Sequence, residues 1–331
     1  MAQTNADVAV IVPTYNRSAI LTETLDSVAA QTWPPAYLIV VDDGSTDETQ
    51  VVLEKWQTRP LPFPVKIIRQ ENQGAGIARN AGLHAAPPVR YVAFLDSDDL
   101  WPPDFLERTV TLLESNQDAV AAVCKAEYVY QRTFRQEARR QLRLLLTRCG
   151  VKRLLEPWLR KRLHRSHEYL PCNPLAWFFR NAVGVNSCTL VRRADALVMG
   201  GFDESFLSNE DAPFYLSLSL CGRWIFSPGQ PVVIRTDVGR RPDVETNLSE
   251  KYDDGGRQWA QAFENFLAHH DVSSHITVKD VNRAMSRKWN IAGNQLRNHR
   301  HGNEAAACYR KAFSYNPKNI AVRWNLLINR L

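Results

Sequence analysis

The chain has 331 residues, of which 44% are hydrophobic and 23% charged, and its formal net charge is +6 at pH 7. This composition excludes a fibrous or largely disordered chain, and the length suits one large domain with a smaller addition. Residues 1–7 contain no basic residue and no long apolar run, so neither a signal peptide nor a membrane span is predicted. The six cysteines lack CxxC spacing, which disfavours a zinc or redox site and favours a cytoplasmic location.

Strand and helix patterns alternate at short intervals along the chain. The predicted strands cover residues 8–12, 38–41, 65–69, 91–95, 119–125 and 184–191. The predicted helices cover residues 21–31, 46–56, 75–85, 103–115, 195–198 and 213–220. This alternation favours an α/β fold with parallel strands and crossover helices. Ligands of such sheets bind beyond the carboxyl ends of the strands.

An acidic cluster follows the fourth predicted strand. The apolar run Tyr91–Leu95 ends in Asp96-Ser97-Asp98-Asp99. Clustered carboxylates are costly unless a cation shares their charge. Asp-x-Asp at a strand end offers hard oxygen ligands to Mg²⁺ or Mn²⁺, which in turn can hold a diphosphate. The alternative is a solvated acidic turn.

Three further polar motifs each allow a structural and a functional interpretation. Asp42-Asp43-Gly44-Ser45 is either a simple turn or a carboxylate acceptor for a base or ribose. The segment 72–82 is either a loop with a helix cap or a glycine-rich approach to phosphate, with Arg79 meeting the phosphate oxygens. Glu210-Asp211 is either a helix cap or a catalytic pair, and the two are compatible.

These motifs, taken in order, resemble the family-two glycosyltransferases with the GT-A fold. The resemblance rests on Val10–Arg17, Val41–Asp47, Asn72–Gly82, Phe94–Asp99, Gly200–Glu204 and Asn209–Asp211. It covers roughly residues 7 to 235 apart from a basic insert. It implies a Rossmann-like, mostly parallel central sheet flanked by helices.

The resemblance also implies roles for individual residues. Pro13 and Tyr15 would flank the nucleotide base, and Asp42 or Asp43 would bind the base or ribose. Asp98 and Asp96 would ligate Mn²⁺ or Mg²⁺, Asp96 also facing the donor's ribose or sugar. The remaining donor-binding candidates are Thr14, Arg17, Gly74, Arg79 and Ser97. Asp211 matches the family's catalytic base.

The activity implied is an inverting, metal-dependent transfer of a sugar from a nucleotide sugar, expected to be a UDP-sugar, to a hydroxyl of a glycan or lipid-linked acceptor. This belongs to polysaccharide or glycoconjugate synthesis. One alternative is a sugar nucleotidyltransferase, which the missing lysine-bearing glycine loop disfavours. Another is a non-catalytic scaffold, which Asp96, Asp98 and Asp211 disfavour. Many relatives carry a histidine ligand near 235–237, where Arg235-Thr236-Asp237 stands here.

A basic insert occupies residues 131–169, with twelve Lys or Arg against three Glu. Leucines and Trp158 among these charges predict one or two amphipathic helices. The alternatives are a solvated face packed on the core, peripheral contact with an anionic membrane, and an anionic glycan or nucleic acid partner. No nucleic-acid motif is present, so a nucleic acid partner is not predicted.

The C-terminal region resembles one tetratricopeptide repeat over about residues 286–319. The matching positions are Trp289, Gly293, Leu296, Ala305, Tyr309, Ala312 and Pro317. One such repeat cannot bury its own apolar face, which predicts docking on a neighbouring helix, a protein partner or a second copy. The alternative is a plain helical hairpin. We expect a catalytic domain over residues 1–236 and a helical region over 237–331.

Overall fold

The computed structural model describes residues 6–130, 174–180, 186–206, 209–236 and 254–328. The strands are β1 (Ala6–Thr14), β2 (Pro35–Asp42), β3 (Val65–Arg69), β4 (Tyr91–Phe94), β5 (Ala119–Tyr130), β6 (Thr189–Arg192) and β7 (Arg223–Thr236). The helices are α1 (Leu21–Ala29), α2 (Thr49–Gln57), α3 (Ala75–Ala85), α4 (Phe105–Glu114), α5 (Pro174–Arg180), α6 (Arg193–Val198), α7 (Asp211–Cys221), α8 (Gly255–His269), α9 (Val278–Asn298), α10 (Gly302–Tyr315) and α11 (Ile320–Ile328). The basic insert and Asp237 lie outside the described residues.

The strands form one seven-stranded sheet in the order β3-β2-β1-β4-β6-β5-β7. The chain moves outward from β1 through β2 to β3, then returns to place β4 on the other side of β1. The loops after β1 and β4 therefore leave the sheet side by side in opposite directions. Such a switch point is where open α/β sheets bind ligands.

The central strands are apolar on both faces because helices cover both sides of the sheet. Val8–Val12 of β1 and Leu38–Val41 of β2 are buried. Continuous apolar runs of this kind are typical of parallel strands buried on both faces. On α1, Leu21, Leu25 and Val28 turn one helical stripe toward this core. The predicted mostly parallel sheet with flanking helices is confirmed.

β7 is not among the predicted strands, and β6 differs from its prediction. The sequence predicts a strand from residue 184, but β6 starts at Thr189 and Asn186–Cys188 forms a 3-10 turn before it. β6 runs antiparallel to both β4 and β5, so the alternation of parallel strands is interrupted here. The turn has a local cause, since Ser187 leaves the strand direction to hydrogen-bond the acidic loop after β4.

Four helices of the described part of the chain follow the sheet. α8 packs against α9, and α9 and α10 form an antiparallel hairpin. Glu264 on α8 links them, because it accepts hydrogen bonds from Trp289 on α9 and Tyr315 on α10. The tetratricopeptide assignment of this hairpin stays a prediction. Among the described helices, none is both long and apolar enough to cross a membrane.

Candidate active site

The loop after β1 is held by the loop after β2. The Asn16 side-chain oxygen accepts from the Thr46 backbone N–H at 2.8 Å, and the Asn16 N–H donates to Ser45 Oγ at 2.9 Å. The Arg17 N–H donates to Thr49 Oγ1 at 2.9 Å. Asn16 has a φ of +50°, a conformation that asparagine tolerates better than most residues. The two motifs thus form one rigid rim that presents Tyr15 and Arg17.

Asp43 organises the glycine loop. Its Oδ1 accepts from the Gln73 N–H at 3.0 Å and from Gln70 Nε2 at 2.8 Å, and its Oδ2 accepts from the Gly74 N–H at 2.8 Å. Gly74 has a φ of +100°, a region that favours glycine. Both oxygens of the Asp43 carboxylate therefore serve the loop that leads into α3.

Asp42 differs from Asp43 in its hydrogen bonding. Its Oδ1 accepts from the Ser45 N–H at 2.9 Å, but its Oδ2 has no hydrogen-bond partner among the described residues. The neighbouring Thr14, in register with Asp42 across β1 and β2, also leaves its Oγ1 without a partner in that part of the chain. Unpaired buried oxygens cost about 1–3 kcal/mol each and ask for an explanation. Arg69 Nε lies 3.9 Å from Asp42 Oδ2, beyond hydrogen-bond distance, so both strand ends still carry hydrogen-bonding capacity that the described fold does not use.

The acidic loop after β4 is fixed from its buried side. Ser187 Oγ donates to Asp99 Oδ2 at 2.5 Å and accepts from the Asp96 N–H at 3.1 Å. Asp99 is 3% exposed, and burial, followed by Asp98 and Asp96, raises the pKa of its carboxyl well above the usual value. Asp99 therefore supports the loop, while Asp96 and Asp98 are half-buried at its outer side.

Arg235 on β7 completes this support. Its Nε donates to the Asp98 carbonyl, its backbone N–H donates to Asp99 Oδ1 at 3.1 Å, and its Nη1 donates to Glu23 on α1 at 2.6 Å. Arg235 thus binds the acidic loop through both its backbone and its side chain. A guanidinium is a donor only, so Arg235 cannot act as a metal ligand.

Arg79 joins the two halves of the site. Its Nη2 donates to Asp96 Oδ1 at 2.6 Å, its Nη1 donates to Glu210, and its guanidinium lies over the Phe202 ring. Burial lowers the pKa of Arg79, but Asp96 and Glu210 raise it, and the net value lies above the usual one. The sequence predicts that Arg79 meets phosphate oxygens. In the structure its terminal nitrogens donate to the chain's own carboxylates, so we assign it a positioning role.

Asp211 begins α7, directly after Glu210. Burial chiefly raises the pKa of Asp211 to about 7, Glu210 adds to the rise, and Arg79 opposes it. A carboxyl that titrates near neutrality suits proton transfer at physiological pH. Asp96 also contributes to this shift, which indicates that Asp211 and the acidic loop act on one another electrostatically.

The turn before α7 is fastened to α3. Asn80 Oδ1 accepts from the Phe202 N–H at 2.8 Å, and Asn80 Nδ2 donates to the Phe202 carbonyl and to Glu204, both at 2.9 Å. Gly201 has a φ of +76°, and a Cβ there would lie 2.4 Å from Asn80 Oδ1. Glycine is therefore required at position 201 for the turn to come this close to Asn80. The contact sets the direction in which the chain leaves the turn toward Asp211.

The predicted site residues collect along one edge of the sheet. Arg17 Nη2 lies 3.8 Å from Asp98 Oδ2, which connects the β1 loop to the acidic loop. Burial raises the pKa of Asp98, Arg17 opposes the rise, and Asp96 adds to it. Pro13 is buried in β1, and Ser97 is buried with its carbonyl accepting from Thr24. The predicted donor-binding roles of Pro13 and Ser97 stay predictions.

Among the described residues, no group of three or more His, Cys, Asp or Glu side chains could hold a metal ion. Two outward carboxylates, Asp96 and Asp98, are nevertheless a familiar donor set for Mg²⁺ or Mn²⁺, which commonly complete their shells with water and substrate phosphates. The residues present therefore fit a metal that is shared with a diphosphate ligand.

Sequence reasoning missed five supporting residues: Asn16, Asn80, Ser187, Glu210 as an ion-pair partner, and Arg235. Each acts through a contact to a distant segment, such as Glu210 to Arg79, 131 positions away. Asn16 and Asn80 lie inside the motifs that the sequence analysis identified, so their positions could have drawn attention to them. No sequence motif indicated a supporting role for Ser187 or Arg235.

A mostly parallel sheet with acidic and glycine-rich loops at its switch point defines an α/β protein of the GT-A fold. The family model for glycosyl transferase family 2 matches residues 9–194. The chain belongs to this family.

Known proteins are similar to parts or all of the chain. A stretch of 109 residues is 41% identical to alr2836, an uncharacterized glycosyltransferase of Nostoc sp., and covers 33% of each protein, so the chain spans about a third of that relative's length. TarS (residues 1–349) of Staphylococcus aureus, solved with UDP-GlcNAc, has a TM-score of 0.64 at 18% identity, covering 97% of this chain and 88% of that one. The mannosyltransferase PcManGT of Pyrobaculum calidifontis, solved with GDP-Man and Mn²⁺, has a TM-score of 0.59 at 19% identity, covering 99% and 85%. These two likenesses show the fold.

Proposed function

We propose that the protein is an inverting, metal-dependent glycosyltransferase that moves a sugar from a UDP-sugar to a hydroxyl of a glycan or lipid-linked acceptor. The observation that carries this proposal is the Arg79 bridge from Asp96 to Glu210, which sets Asp211 beside the acidic loop. A carboxylate base and a diphosphate-binding loop are the two parts that such a transfer requires.

The donor would lie along the carboxyl edge of the sheet. Thr14 Oγ1 and Asp42 Oδ2, which are buried and accept no hydrogen bond from the described residues, would lie at the base and ribose end. Tyr15 and Arg17 stand on the rim held by Asn16. TarS bound to UDP-GlcNAc and PcManGT bound to GDP-Man and Mn²⁺ have the same fold, which supports a nucleotide-sugar donor.

Asp98 and Asp96 would hold the metal. When bound, the cation neutralises the negative charge that develops on the departing diphosphate. Arg79 donates to Asp96, while Arg235 donates to the Asp98 carbonyl through its Nε and to Asp99 through its backbone N–H. The chain's own residues thus fix both carboxylates in place.

The proposed transfer is a single displacement. The acceptor oxygen forms a bond to the anomeric carbon as its proton moves to Asp211, and the bond from that carbon to the diphosphate oxygen breaks. Because Asp211 would act on the face opposite the leaving group, the configuration inverts. The electron pair of the broken bond leaves with the nucleoside diphosphate.

The test pairs two variants with one stereochemical measurement. We expect Asp211→Asn to bind UDP with Mn²⁺ as the unmodified protein does in calorimetry, while release of sugar from UDP-glucose or UDP-N-acetylglucosamine falls about 10²–10⁴-fold. Asp98→Asn is expected to lose Mn²⁺-dependent UDP binding.

Proton NMR of the released sugar should detect the β-anomer first when the donor is α-linked. Initial release of the α-anomer would contradict inversion.

A further inference from the structure

The last described helix, α11, has its inner face fixed by polar contacts. Asn325 Nδ2 donates to Asn290 Oδ1 at 2.9 Å and to Asn294 Oδ1 at 3.2 Å, both on α9. Arg297 Nη1 donates to Asn325 Oδ1 at 3.2 Å, and Val322 is buried beside it. These contacts determine which side of α11 turns outward.

The outward side of α11 is apolar. Ile320, Trp324 and Leu327 follow one another at helical spacing and are 81%, 61% and 60% exposed, and Ile328 adjoins them. None of the described residues covers this stripe. Single exposed apolar residues are ordinary, but a contiguous stripe that includes a tryptophan marks an interaction surface.

The region around the stripe is strongly basic. Residues 286–331 hold nine Lys or Arg and one acidic residue, Glu304. That glutamate is engaged by Arg257 of α8 at 2.9 Å. Lys318 and Arg323 are exposed next to the stripe, and Arg310 is exposed on the adjoining helix. The positive charge of this chain is therefore concentrated in two segments, 131–169 and 286–331.

The positive charge around α11 favours one kind of partner for its outward side over the others. A second copy docked symmetrically would place this basic region against itself. A nucleic acid would neutralise the charge but leave the apolar stripe in water. An anionic lipid surface satisfies both features, since headgroups meet the basic side chains while the acyl boundary receives Trp324 and its neighbours.

We propose that the face of α11 formed by Ile320, Trp324, Leu327 and Ile328, flanked by Lys318 and Arg323, binds the surface of an anionic phospholipid bilayer. This α11 face lies on the C-terminal helices and contains none of the residues assigned to the donor site. The inference is therefore independent of the proposed function, and its failure would leave that function untouched.

The test is co-sedimentation of the full chain with vesicles of phosphatidylcholine alone or with about one-third phosphatidylserine. We expect binding to the anionic vesicles only, weakened in 0.5 M NaCl. The double variant Trp324→Ser/Leu327→Ser should reduce the apparent affinity by about tenfold or more, since each truncation removes insertable apolar area. The matched control is Val51→Ser, which removes a 56% exposed apolar residue from α2 and should change nothing.

Two further measurements separate the outcomes. Circular dichroism spectra and urea unfolding midpoints should be equal in all three proteins, which shows that the variants are folded. Analytical ultracentrifugation without vesicles should give the same mass for each. Equal vesicle binding by the unmodified protein and the double variant would overturn the proposal. So would a self-association that the double variant abolishes, because the stripe would then be an interface between copies.

Discussion

Arg79 and Glu210 stand 131 positions apart in the chain and form a buried ion pair. The pair links α3, which begins at the glycine loop, to the start of α7, where Asp211 lies. Asp96 accepts from the same guanidinium, so one side chain holds two carboxylates, one on the acidic loop and one directly before Asp211. This arrangement couples the geometry of the proposed metal loop to that of the proposed base.

Glu210→Gln should destabilise the protein. The variant removes one of the two carboxylates that offset the buried Arg79 charge, and breaking a buried pair typically costs about 3–5 kcal/mol. We expect a loss toward the lower end of that range, because Asp96 remains. Urea unfolding measures it, with Glu54→Gln on the exposed side of α2 as the control. Equal unfolding midpoints for Glu210→Gln and the unmodified protein would show that the pair is not structural.

Activity should rise with pH through about 7. Asp211 has a pKa of about 7 and must be deprotonated to accept the acceptor's proton, so transfer is lost as pH falls below that value. The negative charge of Glu210 is one cause of the raised pKa, so Glu210→Gln should move the midpoint of the kcat profile to lower pH. Nucleotide-sugar turnover from pH 5 to 9 checks this. An identical midpoint in the variant would separate Glu210 from the titration.

Substitutions of Asp42 and of Asp43 should have different effects, the first on nucleotide binding and the second on stability as well. The Asp42 Oδ2 that Asp42→Asn changes has no hydrogen bond and only a long contact of 3.9 Å to the half-exposed Arg69, so we expect nucleotide affinity to fall about tenfold with little change in stability. Asp43→Ala removes the acceptor for the Gly74 and Gln73 N–H groups, so stability should fall by about 1–3 kcal/mol as well. Calorimetry and urea unfolding on both variants decide it. The reverse assignment would follow if Asp42→Asn unfolded more readily than Asp43→Ala.

Arg235→Ala should weaken metal-dependent nucleotide binding without removing a metal ligand. The side chain holds the Asp98 backbone against α1, and its loss lets the loop move. We expect a several-fold fall in UDP affinity with Mn²⁺ and a smaller change without it. Arg223→Ala, at the opposite end of the same strand and paired with the exposed Asp118, is the control. Similar losses in both variants would point to a general effect on β7.

Much of the fold was predictable because buried apolar residues recur at the spacing of a helix or form the continuous runs of a buried strand. The predictions for β3 (Val65–Arg69) and α3 (Ala75–Ala85) agree with the structure to the residue. The antiparallel β6 was not predictable, because strand direction is decided by how the chain returns to the sheet. The 3-10 turn before it depends on Ser187 reaching Asp99, a contact that no local pattern encodes.

The candidate site divides in the same way. Sequence motifs at the strand ends predict that Asp42, Asp96 and Asp98 lie in one region, since parallel strands end at one edge of the sheet. The motifs do not show which of the carboxylates are used in hydrogen bonds within the protein. Asp43 and Asp99 resemble their neighbours in sequence, yet both are committed to internal hydrogen bonds, and only tertiary packing makes that distinction.

The most direct test of the account is calorimetric titration of the unmodified protein with UDP, GDP, dTDP and CDP, each with and without Mn²⁺. The account predicts that UDP binds and that this binding requires Mn²⁺. It also predicts that Asp98→Asn abolishes the Mn²⁺-dependent binding of UDP. Absence of binding for every nucleotide by folded protein, or UDP binding that is indifferent to Mn²⁺ and to Asp98, would contradict it.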